Sequence, residues 1–162
     1  MKATGIVRRI DELGRVVIPK EIRRTQRIRR GDPLEIFTTG DGEVIFKKYS
    51  PIGELQGVAV QYAEVLSKCF ALTAFVADRS ISQPLEKLME SRKPYLRQDA
   101  EQTVLPCEGS PRVLLCAFPI IAAGDVAGAV GLLTEDRSAK PDASQQKAVA
   151  VAAAFLAKQM EE

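Results

Sequence analysis

Arginine is concentrated in the amino-terminal fifty residues of this chain of 162 residues. Residues 1–30 contain 10 lysines and arginines against 3 aspartates and glutamates, whereas residues 51–162 contain 11 against 14. The guanidinium group is planar, stays charged and presents paired N–H donors that match the oxygens of a phosphate. The asymmetry indicates that the first segment binds a polyanion or that its arginines form an ordinary solvated face. These arginines include Arg8, Arg9, Arg15, Arg23 and Arg24.

The same arginines occur at turns and at the ends of predicted elements. Residues 4–10 alternate as a strand does, residues 11–14 have turn composition, and Pro19 ends a second strand. A short amphipathic helix follows, and then a hairpin with two glycines in its turn. The predicted elements are strands at 4–10 and 15–18, a helix at 20–27, and hairpin strands at 34–38 and 44–48. Folding the first two strands together would bring Arg8 and Arg15 onto neighbouring strands.

Such a segment is too small to bury much apolar surface by itself. Four short strands and one short helix supply few core side chains, and domains of this size are marginal as single copies. A second copy would supply the missing partner surface. We therefore expect an obligate homodimer through residues 1–50.

The pattern changes at Tyr49, Ser50 and Pro51, where we place the boundary between domains 1–50 and 51–162. Beyond it, apolar residues at helical spacing alternate with strongly β-like runs. The predicted elements are a helix over about 55–70, strands at 72–77, 113–118 and 127–134, a helix at 84–90, and a last helix from Asp142 or Ser144 to Met160. The order predicts an α/β sandwich whose terminal helices lie side by side.

Several kinds of chemistry are disfavoured by the composition. The chain has no histidine, the commonest general base and nitrogen ligand, so we expect no enzyme activity, no metal site and no cofactor. The glycine-rich run at 124–131 lacks the lysine of a phosphate-binding loop and is predicted to be a hairpin. Asp11 and Glu12 are predicted to hold neighbouring arginines in place.

The cysteines and the length of the apolar runs indicate in which cellular compartment the protein is located. Cys69, Cys107 and Cys116 are an odd number without a paired motif, so we expect buried free thiols in a reducing compartment. No run reaches the roughly 18 apolar residues of a membrane span, and no leader is apparent. We expect a cytoplasmic protein with no membrane partner.

Four runs of the first segment carry a family resemblance, namely KATGIVRRIDELGRVVIP at 2–19, EIRRT at 21–25, DPLEI at 32–36 and KKY at 47–49. Through these runs, residues 1–50 resemble the swapped-hairpin DNA-binding domain of the AbrB transition-state regulators. It implies a dimer of interleaved hairpins that binds double-stranded DNA. The residues that match the family's DNA-contacting positions are Arg8, Arg15, Arg23 and Arg24, with Arg9, Lys2 and Lys20 as supporting contacts. Gln26 and Arg30 depart from the family pattern.

A second resemblance lies at both ends of the second domain, including AAAFLAKQME at 152–161, and in residues 116–133. Through these residues the second domain resembles the GAF-like domain that follows the DNA-binding domain in sporulation regulators of the family. After Asp78 and Arg79 the chain goes directly to a helix, without a strand and loop that a fuller GAF domain has there. Because that stretch helps to build the ligand pocket, a small-molecule ligand is in doubt.

The fold class expected is therefore α+β, with a dimeric AbrB-type swapped-hairpin β domain followed by a shortened GAF-like α/β sandwich. The function expected is sequence-tolerant, DNA-binding regulation of bacterial sporulation genes. The second domain is expected to set assembly or response, with a homotetramer as one form. Two alternatives remain open, namely an antitoxin-like protein-binding module and a small-molecule sensor that acts through the second domain.

Overall fold

The structure is a computed structural model that describes residues 4–78, 82–98 and 103–161. The chain divides into two compact units, which consist of residues 1–49 and 50–162. We call them unit 1 and unit 2.

Unit 1 contains one short helix and one hairpin. The hairpin strands β1 (Leu34–Thr38) and β2 (Val44–Lys48) pair antiparallel, from Leu34 opposite Lys48 to Thr38 opposite Val44. This confirms the predicted hairpin. Gly42, at φ +82°, supplies the left-handed conformation that the connecting turn requires.

Helix α1 (Lys20–Thr25) ends two residues earlier than predicted. Arg27 has a left-handed φ of +52°, and the amide of Ile28 donates to the carbonyl of Arg23 at 2.7 Å. The amide of Arg27 donates to the carbonyl of Arg24 at 3.3 Å. These bonds form a Schellman motif, which stops the helix even though its left-handed residue is not glycine.

The prediction of strands at 4–10 and 15–18 is wrong for the single chain. Both segments are described, and neither takes part in a sheet. The turn between them is present, since the amide of Asp11 donates to the carbonyl of Arg15 at 3.0 Å. A strand requires a neighbouring backbone to pair with, and one copy of unit 1 gives these segments none.

Unit 2 is built on a four-stranded antiparallel sheet in the order β3-β6-β5-β4. Its strands are β3 (Thr73–Asp78), β4 (Tyr95–Leu96), β5 (Val113–Ala122) and β6 (Asp125–Thr134). Its helices are α2 (Pro51–Glu54), α3 (Gln56–Phe70), α4 (Gln83–Glu90) and α5 (Ala143–Gln159).

The sheet is covered on both faces. Helices α3 and α5 pack on one face, where Leu66 and Leu156 join Leu132 in one core cluster. Helix α4 covers the other face, where Leu85 and Met89 join a second cluster. Helices α3 and α5 also contact each other, which confirms the predicted adjacency of the terminal helices. The predicted α+β class is thereby confirmed.

Three details of unit 2 differ from the prediction. The short helix α2 was not predicted, and Leu55 separates it from α3, which matches the predicted helix. The two-residue strand β4 was not predicted, because a pair of residues carries no periodicity. Strands β5 and β6 are longer than predicted and meet in a two-residue turn in which Ala123 and Gly124 have φ of +49° and +82°.

The expectation of buried thiols is correct for one cysteine and wrong for two. Cys116 is buried in β5, whereas Cys69 and Cys107 are exposed. Burial raises the pKa of the Cys116 thiol to about 11, so it is protonated at neutral pH. Cys69 lies near the end of α3, where an amphipathic helix exposes the residues that do not face its sheet.

Candidate nucleic-acid interface

The turn at residues 11–15 of unit 1 is organised by the carboxylate of Asp11. Its Oδ1 accepts hydrogen bonds from the backbone amides of Leu13 at 3.0 Å and Arg15 at 2.8 Å. Its Oδ2 accepts a hydrogen bond from Nε of Arg15, also at 2.8 Å. One side chain thus fixes both the backbone of the turn and the guanidinium group beside it. The predicted role in holding an arginine is confirmed for Asp11. The same prediction is wrong for Glu12, whose side chain makes no hydrogen bond or ion pair with an arginine among the described residues.

The electrostatics of this turn favour ionised Asp11. Hydrogen bonds from the backbone and then the side chain of Arg15 lower the pKa of Asp11 below its ordinary value of 3.8. The side chain of Asp11 is 42% exposed, so solvent screens its interaction with Arg15. At neutral pH the turn therefore carries a paired carboxylate and guanidinium.

The candidate DNA-contacting cations of unit 1 are all exposed to solvent where the structure describes them. Helix α1 follows Pro19 and carries Arg23 and Arg24 in its last turn, where positive charge also suits the helix dipole. The exposed candidates are Arg8, Arg9, Arg15, Lys20, Arg23 and Arg24. Lys2, the seventh candidate, lies outside the described residues. All six described candidates are therefore accessible to a polyanion.

A contact that the sequence analysis missed holds the end of α1 to the hairpin. Nζ of Lys48, at the end of β2, lies 3.2 Å from Oδ2 of Asp32 and donates to the carbonyl of Arg27 at 3.2 Å. The same Oδ2 accepts a hydrogen bond from the amide of Arg29 at 2.8 Å. The side chain of Asp32 is only 9% exposed. The contact fixes the carboxyl end of α1, and so the backbone beside Arg23 and Arg24, relative to β1 and β2.

Unit 1 leaves its apolar side chains exposed. Pro19 is the one buried residue among residues 4–49, all of which are described. Val7 is 88% exposed and Val17 is 71% exposed, although they lie in the two segments that flank the turn at residues 11–15. The other exposed large apolar residues of the unit are Ile6, Ile10, Leu13, Val16, Ile36, Phe37, Val44 and Phe46. A single copy of unit 1 therefore has almost no hydrophobic core.

Unit 2 contains a buried cation that the sequence analysis also missed. Arg97 is 2% exposed, and its Nη1 donates to the carbonyl of Asp136 at 3.1 Å. Its Nη2 has no hydrogen-bond partner in the described part of the chain. No sequence signal distinguishes Arg97 from the exposed arginines, because it lies between the short strand β4 and residues of mixed composition.

Metal sites and membrane spans are both absent from the described residues. No group of three or more cysteine, aspartate and glutamate side chains is placed to hold a metal ion there. No helix within those residues is both long and apolar enough to cross a membrane.

Family models match the two units separately. The model described as stage V sporulation protein T C-terminal, transcription factor, matches residues 76–161. The model described as antidote-toxin recognition MazE, bacterial antitoxin, matches residues 7–54. Together with the fold, these matches define the class of the protein as a two-unit transcription regulator.

Individual relatives narrow the class to a family. The chain is 47% identical to stage V sporulation protein T of Bacillus subtilis (strain 168), and the alignment covers all of both chains. The chain belongs to the family of that protein, and it is a transcription regulator and not an enzyme. The alignment has 181 positions for the 162 residues of this chain, so the relative has segments that this chain lacks.

Two shorter relatives match the amino-terminal part. The transition state regulatory protein AbrB of Bacillus subtilis (strain 168) is 61% identical over 51 residues, which are 32% of this chain and 52% of that protein. The putative transition state regulator Abh of the same strain is 44% identical over 68 residues, which are 42% of this chain and 68% of that protein. The predicted relationship to the AbrB regulators is confirmed.

Proposed function

We propose that the protein regulates sporulation genes by binding duplex DNA through a homodimer of unit 1. The observation that carries the proposal is that unit 1 has exposed apolar side chains where a core should be, beside six exposed cations. Interleaving two copies would pair the segments 4–10 and 15–18 as strands and cover Val7 and Val17. The same step would double the number of arginines on one surface.

The proposed contacts are mostly to the phosphate backbone. Arginine side chains on turns and on a short helix suit phosphate contact and the reading of DNA shape better than insertion of a long recognition helix. The proposed primary contacts are Arg8, Arg15, Arg23 and Arg24, and the supporting ones are Arg9, Lys2 and Lys20. Because phosphates are the same at every base pair, we propose that binding tolerates many sequences. Binding to the chromosome of a bacterium would place the protein in the cytoplasm.

Unit 2 is proposed to join two dimers into a tetramer. Helices α3 and α5 expose apolar side chains, with Val65 57% and Val151 64% exposed. Apolar residues on the outer face of a packed helix pair are typical of subunit contacts. A charge there, as in Val151→Asp, should reduce the solution mass from four chains to two without unfolding unit 2. A mass of two chains for the unmodified protein would contradict the tetramer.

A mobility-shift series on the full chain tests the proposed function. Replacement of Arg8, Arg15, Arg23 or Arg24 by alanine should weaken binding to several unrelated duplexes by a similar factor. Arg137→Ala is the matched control, because Arg137 is exposed in unit 2 and its loss changes the net charge equally. Equal affinity of all five variants and the unmodified protein would refute the assignment of unit 1 to DNA.

A second candidate function is toxin neutralisation, because residues 7–54 match an antitoxin model. Under this hypothesis unit 1 would still bind DNA, and another part of the chain would cover a toxin. Most of the chain beyond residue 54 lies in the helices and strands of unit 2, which leaves little extended chain for that purpose. Co-purification of a stoichiometric toxin from the native host would favour this second function.

A further inference from the structure

We propose that Asp11 is a positioning residue for DNA binding, which holds Arg15 so that the far edge of its guanidinium group meets a phosphate. The inference rests on the proposed function, since it concerns how one of the proposed contacts is made. It assigns an affinity-enhancing role to an acidic side chain within a surface that binds a polyanion.

The geometry gives Asp11 two separate tasks. Oδ1 holds the backbone of the turn through the amides of Leu13 and Arg15, and Oδ2 holds Nε of Arg15. Neither Nη atom of Arg15 has a hydrogen-bond partner in the described residues, and the side chain is 70% exposed. The guanidinium group is therefore held at one edge and open at the other. Its open edge carries the donors that form paired bonds to phosphate.

The charge of Asp11 alone would oppose binding to DNA. A carboxylate close to phosphates repels them, and it also neutralises part of the charge of Arg15. Asp11 favours DNA binding only if the gain in affinity from holding the side chain of Arg15 in place is larger than the loss from this repulsion. An arginine that is already held loses less conformational freedom when it binds than a mobile one. If the charge of Asp11 dominates, its removal should raise the affinity for DNA. If its positioning of Arg15 dominates, its removal should lower that affinity.

Glu12 provides the matched control. It is the next residue, it is exposed and it carries the same charge. Its side chain makes no hydrogen bond or ion pair with the described residues. Glu12→Gln therefore removes a carboxylate from the same turn without removing a contact to Arg15.

The experiment measures the affinity of the full chain for one duplex at fixed low salt. Asp11→Asn keeps an oxygen for the two backbone amides but loses the charged bond to Nε of Arg15. An exposed ion pair of this kind is expected to change the DNA-binding constant by about threefold for each subunit. In a dimer the two effects multiply to about tenfold. We expect Asp11→Asn to weaken binding by that factor, and Glu12→Gln to leave it unchanged or strengthen it. Asp11→Asn binding as tightly as Glu12→Gln would overturn the inference.

A double-mutant cycle separates positioning from a general effect on the turn. In an Arg15→Ala background, Asp11→Asn should no longer weaken binding, because the side chain that it holds is absent. An equal loss in both backgrounds would show that Asp11 acts only on the fold of the turn, and would also overturn the inference. If the alanine variants of Arg8, Arg15, Arg23 and Arg24 all bind as tightly as the unmodified protein, the proposed function fails instead. The two failures are therefore distinguishable.

Discussion

Lys48, at the end of β2, forms an ion pair with Asp32, in the loop between α1 and β1. Nζ of Lys48 lies 3.2 Å from the carboxylate of Asp32, and the two side chains are 27% and 9% exposed. The same Nζ reaches the carbonyl of Arg27, beyond the end of α1. The side chain of Lys48 therefore helps to fix the orientation of α1 relative to the hairpin.

Removal of this ammonium group should destabilise unit 1. Lys48→Met removes the ammonium group that lies beside the largely buried carboxylate of Asp32, and we expect a loss of about 2 kcal/mol in the free energy of unfolding. Lys47→Met is the control, because Lys47 is exposed and lies 5.9 Å from the ring centroid of Phe37, a contact of about 0.5 kcal/mol. Urea denaturation of both variants at one protein concentration measures the difference. Equal losses would show that the ion pair contributes nothing particular.

The left-handed conformation of Arg27 gives a second prediction. A non-glycine residue in that region is disfavoured by about 1 kcal/mol, so Arg27→Gly should raise the stability of unit 1 by about that amount. Arg29→Gly removes the same charge at a position without positive φ and should lower the stability. Thermal unfolding of the two variants supplies the comparison. A lower Tm for Arg27→Gly than for Arg29→Gly would show that the helix end is not strained.

Local sequence signals predicted the elements that close on themselves. The hairpin of β1 and β2 has its turn glycines inside the segment, and α5 begins at the predicted cap, Asp142. The sequence also predicted strands at 4–10 and 15–18, which the single chain does not form. In the proposed dimer their pairing partners would lie on the other copy. The ion pair between Lys48 and Asp32 could not be predicted from the sequence, because it depends on how α1 and β2 pack and not on the spacing of residues along the chain.

For the candidate site, the sequence predicted which residues are exposed cations but not how they are held. Arg15 follows Asp11 by four residues, a spacing typical of side-chain pairs on one helix. Here the contact instead lies in the turn at residues 11–15. In unit 2, Arg97 resembles any surface arginine in sequence, and only the packing shows that it is buried.

Two glycines of unit 2 should respond oppositely to the same substitution. A Cβ at Gly131 would lie 2.5 Å from the carbonyl oxygen of Cys116 and 2.6 Å from the ring of Phe75. We expect Gly131→Ala to destabilise unit 2 by about 3 kcal/mol through this overpacking. Gly57 lies in α3, and a Cβ added there would meet no atom within 4 Å, so Gly57→Ala should stabilise the unit by about 1 kcal/mol. Calorimetry of the two variants checks both signs, and a stable Gly131→Ala protein would contradict the close approach of β5 and β6.

The stability of unit 2 should fall in acid partly through the cap of α5. Hydrogen bonds from the side chain of Ser144 and the amide of Gln145 lower the pKa of Asp142 below its ordinary value of 3.8. The stabilising effect is therefore complete above that value and is lost as the pH falls through the lower pKa of the folded state. Asp142→Asn removes this dependence, so the difference in Tm between wild type and variant should shrink as the pH falls from about 7 to about 3. A difference that stays constant with pH would show that the charge has no part in the cap.

The dependence of DNA affinity on salt tests the central claim most directly. If a dimer of unit 1 neutralises about 6 phosphates, the logarithm of the affinity should fall against the logarithm of salt concentration with a slope of about −5. Arg15→Ala, which removes one contact in each subunit, should make that slope shallower by about 2. A full-length protein whose affinity for duplex DNA does not change with salt, or whose slope is unaltered by Arg15→Ala, would contradict phosphate binding by the arginines of unit 1.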